Sequence, residues 1–338
     1  MLVEQWQDEL DRRFHLPFEI NLAAALAEGE CSLDFDSIFT ADVIRRLESH
    51  RNDSDEIKFR LEVLNSAKVQ PSSPTEACRL TKLTRKRALW ERWVDAASRG
   101  GLFDGNEGTE LRSRLAGVDD NDFRSGIAEC MVAWAFSDDL GLRISPRPAG
   151  RDGSVLEFLA QAPSQEIHVE VKSPRNLDEL TEPEGGAVDV GALAKALGRA
   201  LESAAKQFNE GAANVLVLAF PETGAPIPAA SSVPELSLIP AFYGEDTLLT
   251  PAGGPPVSAF NPKGRFLRRY AGQPRFTRVS AIVCIDDVPP DEKLRTVVLH
   301  NPHAMRPVDP KTFRDWRQLV PDPNSGVMRW TSEDVYRA

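Results

Sequence analysis

The chain has 338 residues, of which 41% are hydrophobic, and its formal net charge is −11 at pH 7. That length allows two ordinary domains, and no run of about 18 apolar residues is present to cross a membrane. The acidic balance counts against a protein that binds nucleic acid with its whole surface, although local basic patches can act against the mean.

The N-terminus and the cysteines indicate the compartment. Charged residues begin at Glu4, which predicts a cytoplasmic protein without a signal peptide. The four cysteines show no CxxC spacing, which argues against a zinc finger and against a disulfide scaffold.

The pattern of apolar and turn-forming residues divides the chain into two regions. Residues 1–110 are predicted as a mostly helical N-terminal region that ends at a turn-rich stretch, 100–108. From about residue 119, helices and strands alternate. The predicted elements are a helix at 122–138, strands near 154–160 and 167–172, a helix at 190–209, and strands at 214–220, 278–285 and 295–300. This order favours an α/β fold over 111–338, with helices flanking a central mixed sheet.

Residues 221–262 interrupt this second region. They contain nine prolines and four glycines, a composition that favours a long irregular insertion over a packed element. Insertions of this length inside a compact domain are usually functional or disordered.

Two acidic residues are predicted to face each other across a β-hairpin. A turn at 163–164 would join the two strands near 154–160 and 167–172. The register that buries the apolar residues pairs Phe158 with Val169, Ala160 with Ile167 and Leu156 with Val171. The same register places Glu157 directly across from Glu170, with their Cβ atoms roughly 4.5–5.5 Å apart.

Like charges so close repel each other, and a divalent cation would resolve the conflict. Mg²⁺ prefers carboxylate oxygens and binds well to one or two acids together with a substrate phosphate; Mn²⁺ is expected as its substitute. Lys172 lies on the same strand face as Glu170, where it could orient a water molecule and offset negative charge on the phosphate. This grouping suits the hydrolysis of phosphodiester bonds.

An acid followed across a hairpin by ExK, here Glu157 and then Glu170-Val171-Lys172, resembles the signature of the PD-(D/E)xK, or restriction-endonuclease-like, nuclease superfamily. The resemblance covers about 120–220. It implies a restriction-endonuclease-like core in which Glu157 and Glu170 hold the metal and Lys172 assists the attacking water. The usual first acid is an aspartate, so Asp152 in GRDGS is a rival to Glu157.

Helices on either side of the hairpin carry further residues that the resemblance implies. Glu129 matches a helical glutamate that often completes the metal site, and it is the one charged residue in the stretch 126–136. Because an unpaired buried charge is costly, its presence there favours a functional role. On the following helix, Lys206 and Gln207 match the basic or amide residue that many members carry near the water or phosphate.

Two groups of basic residues are candidate contacts for a nucleic-acid backbone. The first group is a stripe on the predicted helix at 190–209 and consists of Lys195, Arg199 and Lys206. The second group comes from the basic stretch at 263–278, namely Arg265, Arg268 and Arg269.

Together these features predict a Mg²⁺-dependent DNA endonuclease, and the resemblance implies a restriction or defence setting. The expected partner is DNA, together with a second copy of the chain or another defence subunit, and no membrane. Two alternatives stay open. The first is a nuclease-like module that has lost its chemistry and binds nucleic acid or protein. The second is an assembly protein whose N-terminal helices dock to another subunit.

Overall fold

A computed structural model of the chain shows a central sheet with helices packed on both of its faces. It describes residues 33–146, 148–173, 190–223, 238–244, 246–249, 257–260, 264–267, 269–287, 294–321 and 328–331. In this part of the chain, no helix has both the length and the apolar character to cross a membrane.

Helices form the N-terminal layer. They are α1 (Leu33–Ile38), α2 (Ala41–Ser49), α3 (Asp55–Asn65), α4 (Pro74–Arg99), α5 (Gly105–Ala116) and α6 (Asp120–Trp134), and α6 continues into a π-helical turn, Ala135–Asp139. The start of α4 shows why these helices begin where they do. The Ser73 hydroxyl accepts a hydrogen bond from the backbone N–H of Glu76, and Pro74 occupies the first helical position, where no N–H is needed.

Strands and two further helices follow. The strands are β1 (Arg143–Pro146), β2 (Phe158–Gln161), β3 (Glu166–Lys172), β4 (Ala213–Phe220), β5 (Asp246–Leu249), β6 (Val257–Phe260), β7 (Arg269–Tyr270), β8 (Gln273–Pro274), β9 (Ala281–Asp286), β10 (Arg295–His300), β11 (Arg317–Pro321) and β12 (Met328–Trp330). The helices are α7 (Val190–Gln207) and α8 (Leu238–Phe242).

Eight of these strands form one mixed sheet in the order β1-β2-β3-β4-β9-β10-β11-β12. The centre of the sheet is parallel, because β3 pairs with β4 and β4 pairs with β9 in the same direction. β2 and β10 run antiparallel to β3 and β9. This mixed α/β architecture agrees with the predicted fold class at that level.

The sheet separates two hydrophobic cores. One core packs against α1–α6 and the other against α7 and α8. β4 contributes to both, since Val215 and Val217 point to the first core while Leu216 and Leu218 point to the second. A strand that is covered on both faces needs apolar residues throughout, and every residue of β4 is buried.

The predicted hairpin register is confirmed within β2 and β3, where Phe158 pairs with Val169 and Ala160 pairs with Ile167. The prediction for Leu156 is wrong. The chain bends at Glu157, and the backbone N–H of Leu156 bonds to the carbonyl of Pro148. Leu156 is therefore buried in the second core, on the other side of the sheet from Phe158.

The stretch 221–262, predicted as irregular, contains packed elements where it is described. α8 buries Leu238 and Phe242 in the second core, and β5 pairs with β6 in a separate two-stranded sheet. The proline-rich composition did not prevent these short elements from forming. Pro240 itself lies inside α8, a helix of only five residues. Part of the predicted N-terminal region, 1–32, lies outside the described residues.

Candidate active site

A polar cavity of about 360 Å³ lies at the C-terminal end of β3. Its walls come from α5, α6, the residues that lead into β2, and the end of β3. The polar side chains that line it are Glu107, Glu110, Arg114, Ser125, Glu129, Glu157, Lys172 and Ser173. In α/β proteins, the carboxyl ends of parallel strands are the usual position of a ligand site.

Glu157 reaches this cavity from the bend that precedes β2. Because β2 begins at Phe158, its pairing with β3 stops short of Val171. The Oε2 atom of Glu157 accepts a hydrogen bond of 3.2 Å from the backbone N–H of Val171. The side chain thus takes the place that a longer β2 would have filled, which fixes the carboxylate beside the end of β3.

Glu170 lies behind Glu157 and is only 1% exposed. Its Oε1 atom forms an ion pair with Nζ of Lys172. The carboxylates of Glu170 and Glu157 are also within hydrogen-bonding reach of each other. A buried carboxylate needs a positively charged partner, which Lys172 supplies to Glu170 here.

The two glutamates act on each other electrostatically. Burial raises the pKa of Glu157 well above its ordinary value, and the adjacent carboxylate of Glu170 raises it further. The charge of Glu129 adds to the rise, whereas Lys172 opposes it. Glu157 therefore favours its protonated form when no metal ion is bound. The predicted approach of Glu157 to Glu170 is found, although it arises at a bend and not in a continuous hairpin.

Lys172 remains a cation in these surroundings. Burial opposes its charge, but the carboxylates of Glu170, Glu157 and Glu129 outweigh burial and raise the pKa of Lys172 above its ordinary value. Its side chain is 31% exposed and lines the cavity. Lys172 is thus equipped to donate hydrogen bonds to an anion or a water molecule, and it is poorly suited to accept a proton.

Glu129 also lines the cavity, but it is not the unpaired charge that the sequence indicated. Arg114 on α5 holds both of its oxygens, with Nη1 to Oε1 at 2.6 Å and Nη2 to Oε2 at 3.0 Å. Nη1 of Arg114 also donates to the hydroxyl of Ser125 at 3.1 Å. Sequence reasoning missed Arg114. The signal that could have found it is the buried acid itself, which requires a cation from a neighbouring helix.

Asp152, the rival first acid, lies away from the cavity. It belongs to a short 3₁₀ turn, Arg151–Gly153, where its backbone adopts a φ of 55°. Its side chain is 81% exposed and pairs with the neighbouring Arg151. The geometry therefore favours Glu157 over Asp152 as the acid that accompanies Glu170.

Lys206 and Gln207 are also placed away from the cavity. They end α7, and β4 begins soon afterwards at Ala213, which pairs with Ile167 at the start of β3. Lys172 lies five positions after Ile167, which is about 16 Å along a strand. The C-terminal end of α7 thus lies near the start of β3, and neither Lys206 nor Gln207 lines the cavity.

The basic stripe of α7 is exposed, as a surface for binding a backbone would require. Lys195, Arg199 and Lys206 are all exposed, and Glu202 interrupts them on the same helix face. α7 packs on the second core, whereas α5 and α6 pack on the first. The stripe and the cavity wall made by α5 and α6 therefore belong to opposite faces of the sheet.

The arginines of the second basic group, from the stretch 263–278, differ in their surroundings. Arg265 forms an ion pair of 2.7 Å with Glu202, and its guanidinium packs so closely on Gly198 that a Cβ there would lie 1.9 Å from it. This arginine thus has a structural task. Arg269 is exposed on β7, and Arg268 lies outside the described residues.

The cavity suits a divalent cation held by two carboxylates. Among the described residues, no three histidine, cysteine, aspartate or glutamate side chains form a group that could hold a metal ion. Mg²⁺ is commonly held by only one or two carboxylates, with water and substrate oxygens as its other ligands. Glu157 and Glu170 fit that donor set, and a metal ion bound there would share Glu170 with Lys172.

Comparison of the chain with protein-family models, with curated proteins and with solved structures gave no match. The geometry of the cavity is therefore the basis for the functional argument.

Glu157→Gln is expected to flatten the dependence of stability on pH when divalent cations are absent. The raised pKa of Glu157 means that the folded protein keeps a proton that the unfolded chain releases above about pH 4.5. The wild-type protein should therefore lose stability as the pH rises from 4.5 through the folded-state pKa. Glutamine does not titrate, so urea unfolding should show an advantage of the variant that grows with pH.

Glu166→Gln is the matched control for this measurement. Glu166 is exposed at the start of the same strand, so its substitution should leave the shape of the pH profile nearly unchanged. Parallel profiles for Glu157→Gln and the wild-type protein would contradict the expected titration of Glu157.

Proposed function

We propose that this protein is a metal-dependent nuclease that hydrolyses phosphodiester bonds in DNA. One observation carries the proposal: Glu157 and Lys172 line one cavity at the end of β3, and the buried carboxylate of Glu170 adjoins both of them. Two interacting carboxylates beside a retained cation form a grouping with a clear use in phosphoryl chemistry. The same grouping has little value as a structural device, because the two acids repel each other.

Each residue has a distinct role in this proposal. Glu157 and Glu170 would hold Mg²⁺, with Mn²⁺ as its substitute. The bound cation would polarise the phosphate and make a water molecule more acidic. Lys172 would donate a hydrogen bond to the attacking water or to a phosphate oxygen, and its positive charge would stabilise the negative charge that develops in the transition state.

The order of the elements around the cavity supports a restriction-endonuclease-like core. α6 carries Glu129, the bend before β2 carries Glu157, β3 carries the ExK sequence, and α7 and β4 follow. This is the order that the PD-(D/E)xK resemblance implies. A restriction or defence setting, with a second copy or another subunit as partner, rests on that resemblance.

The test is a cleavage assay with the purified full chain. Supercoiled plasmid, linear duplex, single-stranded DNA and RNA are incubated with Mg²⁺, with Mn²⁺, and with EDTA. We expect nicked or linear products from DNA with either metal and none with EDTA. A chain that binds DNA at low salt but cleaves no substrate with any metal would contradict the proposal, and would favour an inactive binding module.

A further inference from the structure

Arg114 has donor atoms that its known partners do not use. A guanidinium carries five N–H donors. Glu129 accepts from Nη1 and Nη2, and Ser125 accepts a second hydrogen bond from Nη1. The Nε atom is buried and has no hydrogen-bond partner among the described residues.

The unused donors lie on one edge of the guanidinium. In arginine, Nη2 is on the same side as the Nε–H, so the Nε–H and the second N–H of Nη2 point in nearly parallel directions. Such a fork matches two oxygens of a carboxylate or a phosphate. Leaving a buried donor unpaired is costly, so the arrangement indicates a ligand that completes it.

The charges of the cavity select the type of ligand. Arg114 and Lys172 are the cationic side chains among those that line it, and the acids Glu107, Glu110 and Glu157 surround them. The nearby carboxylates of Glu129, Glu110 and Glu157 raise the pKa of Arg114 although burial opposes this. The guanidinium is therefore always charged, and it offers an anion a second point of attachment besides Lys172.

We propose that Arg114 is a substrate-contacting residue whose Nε–Nη2 edge binds two oxygens of a substrate phosphate, while Glu129 anchors the guanidinium. The inference rests on the proposed nuclease function and gives Glu129 a different role from a metal ligand. Each oxygen of Glu129 already accepts a hydrogen bond from Arg114, so the guanidinium neutralises the charge that would otherwise attract a metal ion. The buried bidentate pair instead holds Arg114 in one orientation.

Arg114→Lys is the central variant, because it keeps the charge and removes the fork. The measurements are kcat/KM for the chromogenic diester bis(4-nitrophenyl) phosphate with Mn²⁺, and the inhibition constant of inorganic phosphate in the same assay. We expect Arg114→Lys to lower kcat/KM and to weaken inhibition by phosphate, each about tenfold or more. A change within about twofold in both would overturn the inference.

Two further variants keep the test independent of folding. The double variant Arg114→Gln/Glu129→Gln removes the pair without leaving a buried charge, and it should show the same loss of phosphate inhibition with a cooperative thermal transition. Arg112→Lys is the control on the same helix, since Arg112 donates to the carbonyl of Phe103 and does not line the cavity. It should leave phosphate inhibition unchanged.

The role of Glu129 has its own readout. Free Mn²⁺, measured by electron paramagnetic resonance, reports metal binding without turnover. Glu129→Gln should bind Mn²⁺ nearly as well as the wild-type protein, whereas Glu170→Gln should not. Equal loss of Mn²⁺ binding in both variants would make Glu129 a ligand and overturn the anchor role.

Failure of the proposed function can be distinguished from failure of this inference. If the wild-type protein cleaves no diester, the test becomes the binding of a short fluorescein-labelled DNA duplex in Ca²⁺, which requires no chemistry. Weaker binding by Arg114→Lys than by Arg112→Lys would then support the phosphate contact on its own. Equal binding by the two variants, or no binding by the wild-type protein, would overturn it.

Discussion

Lys172→Ala and Glu170→Gln are each expected to lower the rate of metal-dependent DNA cleavage on the order of a thousandfold. Glu170 is buried beside Glu157, so its loss removes one of the two carboxylates suited to the cation. Lys172 is one of the two cations that line the cavity, so its loss removes a hydrogen-bond donor from the reacting phosphate. The measurement is the single-turnover rate on plasmid DNA with Mg²⁺.

These two variants should differ in whether metal binding is lost together with cleavage. Glu170→Gln should lose Mn²⁺ binding together with cleavage, whereas Lys172→Ala should retain most of its metal binding. Glu166→Gln, on the same strand but exposed at its other end, should cleave at the wild-type rate. Unchanged cleavage by Lys172→Ala would remove the main support for the proposed mechanism.

Lys86→Met is expected to lower the free energy of unfolding by about 3–5 kcal/mol. The side chain of Lys86 on α4 is only 7% exposed, and its Nζ lies 2.7 Å from both Glu222 and Asp287. These acids come shortly after β4 and β9, so the lysine links the helical layer to the ends of two central strands. Methionine has a similar shape but leaves both carboxylates without their cation. Urea denaturation measures the loss.

A matched control and a rescue variant make this prediction specific. Lys82→Met, on the exposed side of the same helix, should change stability by less than about 0.5 kcal/mol. Lys86→Met/Glu222→Gln/Asp287→Asn removes the unpaired charges and should recover most of the loss. A triple variant as unstable as the single variant would show that the charges of this cluster are not the cause.

The sequence predicts the centre of the site well because one local rule governs it. Alternation along β3 places Glu170 and Lys172 on one strand face, and burial of Phe158 against Val169 sets the register of the hairpin. The same rule fails at Leu156. Strand alternation predicts that Leu156 lies on the same face as Phe158. The bend at Glu157 breaks this alternation, and the bend depends on how the preceding residues fold back on the sheet.

The surroundings of the site depend on contacts that no local pattern contains. Arg114 reaches Glu129 from a neighbouring helix, and a single sequence does not specify which helix neighbours α6. The sequence predicts α7 as a helix, but not which end of it lies near the cavity. The parallel pairing of β3 with β4 determines this, because it places Gln207, shortly before β4, near the start of β3.

The cavity has a consequence for how the chain is made. Its lining residues lie between Glu107 and Ser173, whereas the pairing of β4 with β9 joins residues more than sixty positions apart. Long-range parallel pairing is slow to form. A growing chain on the ribosome therefore displays the complete set of acidic side chains before β9 has been synthesised. Until the central strands associate, water solvates those carboxylates. Glu157 and Glu170 therefore repel each other strongly only in the folded protein.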